Sequence, residues 1–192
     1  MGPMSLNKDQ QTQLLQLTQA SIQHGLQTGK PLKVNLQNYS AELTQPSATF
    51  VTLERHAQLR GCIGMLEPVR PLVEDIAANA FAAAFRDPRF PPLTSAEFAD
   101  LELHISILSP AQPMRFESED DLIWQLRPGI DGLILHDGFR RGTFLPSVWA
   151  QLPDPSQFLR HLKQKAGLPA EYWSETLQVE RYTTQMFGSH DG

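Results

Sequence analysis

Two predicted β-hairpins constrain the fold of this chain more than any other feature. Residues 48–55 are rich in β-branched and aromatic side chains, and the segment Leu59–Gly64 follows after a short connection. Farther along, residues 130–136 and 139–145 flank Asp137-Gly138, a dipeptide suited to a type I′ turn. The partners in a hairpin are antiparallel, which disfavours a doubly wound parallel sheet.

Predicted helices separate these strands. Leucines and an isoleucine in the glutamine-rich stretch 7–28 share one broad helical face. Pro71 opens an alanine-rich helix, and Asp154-Pro155 opens another that ends at Gly167. The other predicted elements are a strand over 101–107, a short helix over 118–126 and a strand over 177–184. This order predicts an α+β fold with a mainly antiparallel sheet flanked by helices.

Charge and hydropathy narrow the functional class. The 192 residues include 16 basic and 21 acidic side chains, and the net charge of −5 does not favour nucleic acid or an anionic membrane as a partner. No apolar run approaches the ~20 residues that span a bilayer. The start of the chain lacks the pattern of a secretory signal, so we expect a cytoplasmic protein. Whether Met1–Pro3 precedes a native start at Met4 is left open.

The single cysteine, Cys62, excludes an intramolecular disulfide and a multi-cysteine metal site. No HxH, HxxxH or HExxH pattern occurs, so no metal site is predicted. Strand alternation would place Arg60 beside Cys62 on one face, where a guanidinium favours the reactive thiolate. In the alternative interpretation Cys62 is a small core residue and Arg60 pairs with a carboxylate. The candidates for a catalytic base, by strand placement, are His56, His104 and His136.

Prolines stiffen a second unusual segment, Asp87–Leu93. A rigid loop that carries Asp87, Arg89 and Phe90 suits recognition of a polar or anionic ligand. Equally, Asp87 and Arg89 could cap the preceding helix and fasten the loop. Arg141, in the second hairpin, could join the other arginines in one positive pocket, although exposed arginines are more often simply solvated.

These segments together resemble the AMMECR domain family, in particular its bacterial and archaeal branch, the AmmeMemoRadiSam system protein A group. Leu59–Gly64 (LRGCIG) matches the family hallmark, and Ala82–Leu93 matches its second signature. Further motifs follow in family order at Ile130–Ile134, Thr143–Pro146 and Lys165–Leu168. The resemblance extends over residues 10–182, and it departs from the family at Ser147, where glutamine is more frequent.

The resemblance implies a two-lobed α+β domain over residues 10–185. An unstructured N-terminus (1–9) and a C-terminal tail (186–192) would flank this domain. It implies no established reaction and no known cofactor. Relatives in bacteria and archaea are associated with a Memo-type dioxygenase-like protein and a radical SAM protein, which implies such partners or a place in a modification pathway.

The hallmark also implies where a site would lie. Cys62 and Arg60 are the candidate catalytic residues. The candidate ligand contacts are Gly61, Gly64, Glu67, Asp87, Arg89, Phe90, Asp131 and Arg141. Two functions stay open: a cleft at the LRGCIG segment that binds a polar or anionic ligand, with or without a reaction on it, or a non-catalytic module that docks proteins. RNA ranks below protein as a partner, because basic and aromatic residues are not interleaved.

Overall fold

The computed structural model describes residues 5–189 and divides the chain into two compact units. The first unit is Met1–Ser109 with Gln185–Gly192, and the second is Pro110–Thr184. Each unit has its own four-stranded sheet and its own hydrophobic core. The predicted α+β class with antiparallel pairing is confirmed, but the strands form two sheets rather than one.

Both predicted hairpins form, together with the helices between them. In chain order the elements are α1 (Lys8–Thr28), β1 (Ala48–Arg55), β2 (Gln58–Gly64), α2 (Leu72–Phe85), α3 (Ser95–Phe98), β3 (Leu101–Leu108), β4 (Gln112–Pro113), α4 (Glu119–Gln125), β5 (Gly132–Asp137), β6 (Arg140–Phe144), α5 (Pro155–Lys165), β7 (Gln178–Tyr182) and β8 (Thr184–Gly188). The hairpins are β1–β2 and β5–β6. Within residues 5–189, no helix is both long enough and apolar enough to cross a membrane.

The sheet of the first unit has the strand order β2-β1-β3-β8, and one of its faces packs on α1 and α2. Val51, Leu53 and Ile105 point into this core and are fully buried among leucine and isoleucine side chains of the two helices. The alanine-rich α2 comes so close to β2 that a Cβ at Gly61 would collide with the carbonyl oxygen of Ala83. Alanines on the helix and a glycine on the strand therefore permit this close packing.

Alternate residues of the same sheet point away from this core, and we call them the outward face. They are Phe50, Thr52 and Glu54 of β1, Cys62 and Gly64 of β2, and Glu102, His104 and Ser106 of β3. Most are half-buried rather than sealed. This face carries polar side chains in register on neighbouring strands, and it holds the hallmark cysteine.

The chain ends are more ordered than the sequence predicts. Asn7 caps α1 with a capping box to Gln10, and the buried Leu6 donates its N–H to Gln185 at 3.1 Å. At the other end β8 pairs with β3 and buries Phe187. The predicted unstructured segments are therefore wrong for residues 6–9 and 186–188, because these residues complete the first sheet and its core. Residues 1–4 and 190–192 lie outside the described residues.

The second unit builds its core between α4, α5 and a sheet of order β4-β7-β5-β6. Trp149 stacks on Phe158 with ring centroids 3.8 Å apart, and its indole N–H donates to the carbonyl of Asp131 at 2.7 Å. The side chain of Lys163 is fully buried and its ammonium donates to Glu119 at 2.9 Å. This unit thus satisfies its buried polar groups internally, as a stable core requires.

Candidate functional site

A β-bulge at Arg60 reshapes the hallmark strand. Leu53 pairs with Gly61, but the next residue, Glu54, pairs with Leu59, so Arg60 is the extra residue of β2. A bulge interrupts the alternation of side chains along a strand. The alternation from which Arg60 and Cys62 were predicted to share a face is therefore interrupted at Arg60 itself.

The guanidinium of Arg60 is committed to a carboxylate. Its Nε and Nη2 donate to the two carboxylate oxygens of Glu97 at 2.7 and 3.2 Å, and Nη2 also donates to the carbonyl of Pro91 at 2.8 Å. The hydrogen bond from Arg60 is the main reason that the pKa of Glu97 falls from 4.5 to about 2. Since its side chain is buried and paired with Glu97, Arg60 fits the alternative interpretation in which it pairs with a carboxylate, and its catalytic role stays a prediction.

Cys62 lies half-buried on the outward face rather than within the core. Its Sγ is 3.2 Å from Oγ1 of Thr52, the cross-strand partner on β1. Since β2 is an edge strand, the backbone of Cys62 bonds to the loop after α2: its N–H donates to Asp87 Oδ2 at 3.0 Å, and its carbonyl accepts from Arg89 Nη2 at 3.4 Å. The two signature segments are thus joined at this residue.

Asp87 holds Arg89 in a fixed position at this edge. The buried carboxylate accepts the backbone N–H of Arg89 at 3.1 Å, its Nε at 3.0 Å and its Nη2 at 2.7 Å. These bonds, with the one from Cys62, keep the pKa of Asp87 far below its usual range. The Arg89 side chain is 54% exposed and lies over the ring of Phe90. The stiff loop therefore presents an oriented hydrogen-bond donor.

Three side chains lie in one row across the outward face. Thr52 pairs with Cys62 on one side and with His104 on the other. Neighbouring strands are about 4.8 Å apart, so the backbones of Cys62 and His104 are separated by roughly 10 Å. Of the predicted bases, only His104 shares the sheet face of Cys62. His56 lies in the β1–β2 turn with a positive φ, and His136 belongs to the second unit.

A group of ligand-type side chains beside this row was missed in the sequence. Glu54 and Glu102 are cross-strand partners, and His104 follows Glu102 by two residues. His104 Nε2 is 3.7 Å from Glu54 Oε1. A Glu-x-His pattern on a strand places both side chains on one face, and this was the available signal. Glu54, the third member, could not be predicted, because its position beside Glu102 depends on the register between β1 and β3, which no single segment reveals.

The remaining predicted contacts have other roles. Gly64 is needed for packing, because a Cβ there would collide with Phe50, and Glu67 is exposed in the loop after β2. Arg141 is exposed on β6 of the second unit. The buried carboxylate of Asp131 accepts a hydrogen bond from Arg127 of the same unit at 2.6 Å, and its role as a ligand contact stays a prediction.

The arginines of the first unit do not form the positively charged pocket that the sequence suggested. Arg60 and Arg89 are each paired with a carboxylate, and Arg86 lies over the ring of Phe81 at 4.9 Å. The pairs cancel the positive charge that such a pocket would need. The site is accordingly polar but close to electrically neutral at the Cys62 edge.

Comparison with known proteins shows extensive similarity. The AMMECR1 family model matches residues 15–187. A protein of Methanothermobacter thermautotrophicus is 36% identical over 184 residues, which cover 95% of each chain, and one of Methanocaldococcus jannaschii is 36% identical over 81% of this chain and 79% of its own. The crystal structure of an uncharacterised protein from Pyrococcus horikoshii has a TM-score of 0.88 at 32% identity, covering 96% of this chain and 94% of that one. The chain therefore belongs to the AMMECR1 family, which confirms the resemblance found in its sequence.

Proposed function

We propose that this member of the AMMECR1 family binds a polar ligand at the edge of its first sheet, where Arg89, Cys62 and Thr52 come together. The observation that carries the proposal is the state of Arg89. The buried carboxylate of Asp87 accepts two hydrogen bonds from its guanidinium and one from its backbone N–H, while more than half of the side chain is exposed. Oriented donors of this kind are a recurring feature of binding sites.

The charge balance of the site indicates the class of ligand. Asp87 neutralises Arg89, so the edge offers hydrogen-bond donors without a net positive charge. The thiol of Cys62 and the hydroxyl of Thr52 add groups that both donate and accept. This set favours a small polar molecule with a carbonyl or a single carboxylate over a polyanion. Binding does not require Cys62 to react, so the site serves an enzyme or a ligand-binding component of a modification pathway equally well.

The single cysteine makes the proposal testable without a known ligand. Every thiol-labelling signal from this chain comes from Cys62. We would measure the rate at which iodoacetamide labels the native protein in the presence of pools of small polar metabolites. A ligand held against Arg89 should cover the thiol and slow labelling about tenfold or more.

Two arginine variants test whether the protection of Cys62 from labelling depends on ligand contact with Arg89. Arg89→Lys keeps the charge but loses the planar fork, and it should abolish the protection given by any active pool. Arg86→Gln removes an exposed arginine three residues earlier and should retain the protection. Equal protection of wild type and the Arg89→Lys variant, or no protecting pool at all, would refute the site. Far-UV circular dichroism would verify that both variants are folded.

Exposed aromatic residues favour protein docking as a second candidate function. Trp124 and Phe139, both in the second unit, are 86% and 90% exposed, and such side chains often anchor interfaces. The family resemblance suggests Memo-like and radical SAM proteins as the partners. Co-purification at micromolar concentration should succeed with wild type and with Val69→Ser, an exposed apolar control, and should fail with Trp124→Ser or Phe139→Ser. Absence of a complex with wild type would contradict docking.

A further inference from the structure

We propose that Glu54, Glu102 and His104 form a binding site for a divalent transition-metal cation on the outward face of the first sheet. One carboxylate oxygen of each glutamate and an imidazole nitrogen all lie within 4.8 Å of one another. The three residues come from two adjacent antiparallel strands, which fix their spacing. Because the site uses neither Cys62 nor Arg89, it stands independently of the ligand site proposed above.

The two glutamates of this cluster favour a cation beside them. Glu54 and Glu102 are direct cross-strand partners, and like charges in that position repel. His104 Nε2 is inaccessible to solvent and has no hydrogen-bond partner among the described residues, although the ring as a whole is one-third exposed. The separation of 3.7 Å from Glu54 Oε1 is too long for a hydrogen bond. A cation would cancel the repulsion and give Nε2 its missing partner.

Gly188 of β8 positions the imidazole. A Cβ at this buried glycine would lie 2.5 Å from Nδ1 and 3.0 Å from Cε1 of His104. The ring therefore rests on the glycine backbone with its Nδ1 side, and Nε2 is the nitrogen nearest the carboxylate of Glu54. Contact with β8 thus orients the imidazole so that Nε2, the nitrogen that would bind a metal, lies on the side of the acidic residues.

The donor set indicates which cations fit. An imidazole nitrogen with two carboxylates suits Zn²⁺, Mn²⁺, Co²⁺ or Fe²⁺, whereas Mg²⁺ and Ca²⁺ prefer oxygen ligands alone. Metal–ligand bonds of about 2.0–2.2 Å in a tetrahedral zinc site place neighbouring donors roughly 3.4 Å apart. Small side-chain rotations would bring Nε2 and the Glu54 carboxylate from 3.7 Å to this spacing. Three protein ligands would leave at least one position open to water or a ligand.

Cobalt binding tests the proposal on the full chain. Protein treated with a chelator would be titrated with Co²⁺ and followed by visible absorption, with Zn²⁺ as the competitor. We expect one equivalent to bind with a micromolar or lower dissociation constant, and Glu102→Gln and His104→Gln to weaken binding at least tenfold. His136 and Glu180 form a matched histidine–glutamate pair at 3.5 Å in the second unit, so His136→Gln should bind as wild type does.

Each contrary outcome would overturn the site. If the wild-type protein binds no Co²⁺ at millimolar concentration, the proposed site does not exist. If His136→Gln weakens Co²⁺ binding as much as His104→Gln does, the binding is unspecific. Thiolate-to-cobalt charge-transfer absorption would place Cys62 among the ligands and so refute this ligand set. Glu102→Gln removes a like-charge repulsion and should keep the fold. Its titration therefore decides the matter if the histidine variant misfolds.

Discussion

Acid should destabilise the first unit through Glu97. This carboxylate accepts two hydrogen bonds from the buried Arg60, and its pKa is about 2 in the folded chain against an ordinary value of 4.5. A carboxyl group whose pKa is depressed by folding contributes stability above its unfolded pKa. That contribution should therefore be complete above about pH 5 and should be lost as the pH falls from about 4.5 toward 2.

The structure sets the size of the effect. A difference of about 2.5 pKa units corresponds to about 3 kcal/mol of unfolding free energy at 1.36 kcal/mol per unit. The Glu97 side chain is 19% exposed, and solvent screening reduces the contribution to about 2 kcal/mol. Glu97→Gln should therefore lower stability by about 2 kcal/mol at pH 7 and by much less at pH 3, where wild type has lost most of the same contribution.

Urea unfolding followed at Cys62 measures this directly. All three tryptophans lie in the second unit, so their fluorescence reports on that unit, whereas the lone thiol reports on the first. A dithiopyridine reagent, which reacts with thiols in acid, labels Cys62 at each urea concentration, and the rise of the labelling rate from its native to its unfolded value gives the unfolding free energy at each pH. The exposed pair of Arg160 and Glu171 is the control, and Glu171→Gln should leave the pH dependence unchanged. If Glu97→Gln and wild type differ by the same amount at pH 3 and pH 7, the reasoning is refuted.

Two further substitutions test packing and hydrogen bonding. Gly61→Ala should lower the free energy of unfolding, measured in urea, by about 1–3 kcal/mol, because the new methyl group meets the backbone carbonyl of Ala83, which cannot rotate away. A decrease of less than about 0.5 kcal/mol would contradict this, since it would show that α2 shifts freely. Tyr182→Phe should lower the free energy of unfolding by about 0.5–1.5 kcal/mol, because the hydroxyl that it removes donates to the carbonyl of Phe144 at 3.1 Å. Burial raises the pKa of Tyr182 to about 12, so spectrophotometric titration of this variant should match wild type below about pH 11 and lack a tyrosine above it.

Local patterns in the sequence predicted most of the secondary structure. The β1–β2 and β5–β6 hairpins and the alanine-rich α2 were found because turn residues, alternation and helical spacing act over a few residues. β8 was missed, since Thr184–Gly188 has little alternation of its own and becomes a strand only by pairing with the edge of β3. The separation into two sheets was missed for the same reason, because it depends on pairings distant in the chain.

The sequence motifs predicted part of the geometry around Cys62. Cys62, Asp87 and Arg89 do meet, because the two signature segments bond to each other at the strand edge. The bulge at Arg60, which breaks the period of two, was not predicted because it has no signal in a single strand. The hydrogen bond from Arg127 to the Asp131 carboxylate was also missed, because Arg127 is unremarkable in the sequence.

The close packing of β2 on α2 explains why the hallmark has a glycine at position 61. Gly61 must lack a side chain so that β2 can approach α2, and this approach brings the end of α2 to the edge of the strand. There Asp87 takes the N–H of Cys62, which an edge strand would otherwise leave to water or to another chain. The same carboxylate orients Arg89. The carboxylate that protects the sheet edge is therefore also part of the proposed binding site, so a change at Asp87 should alter stability and ligand contact together.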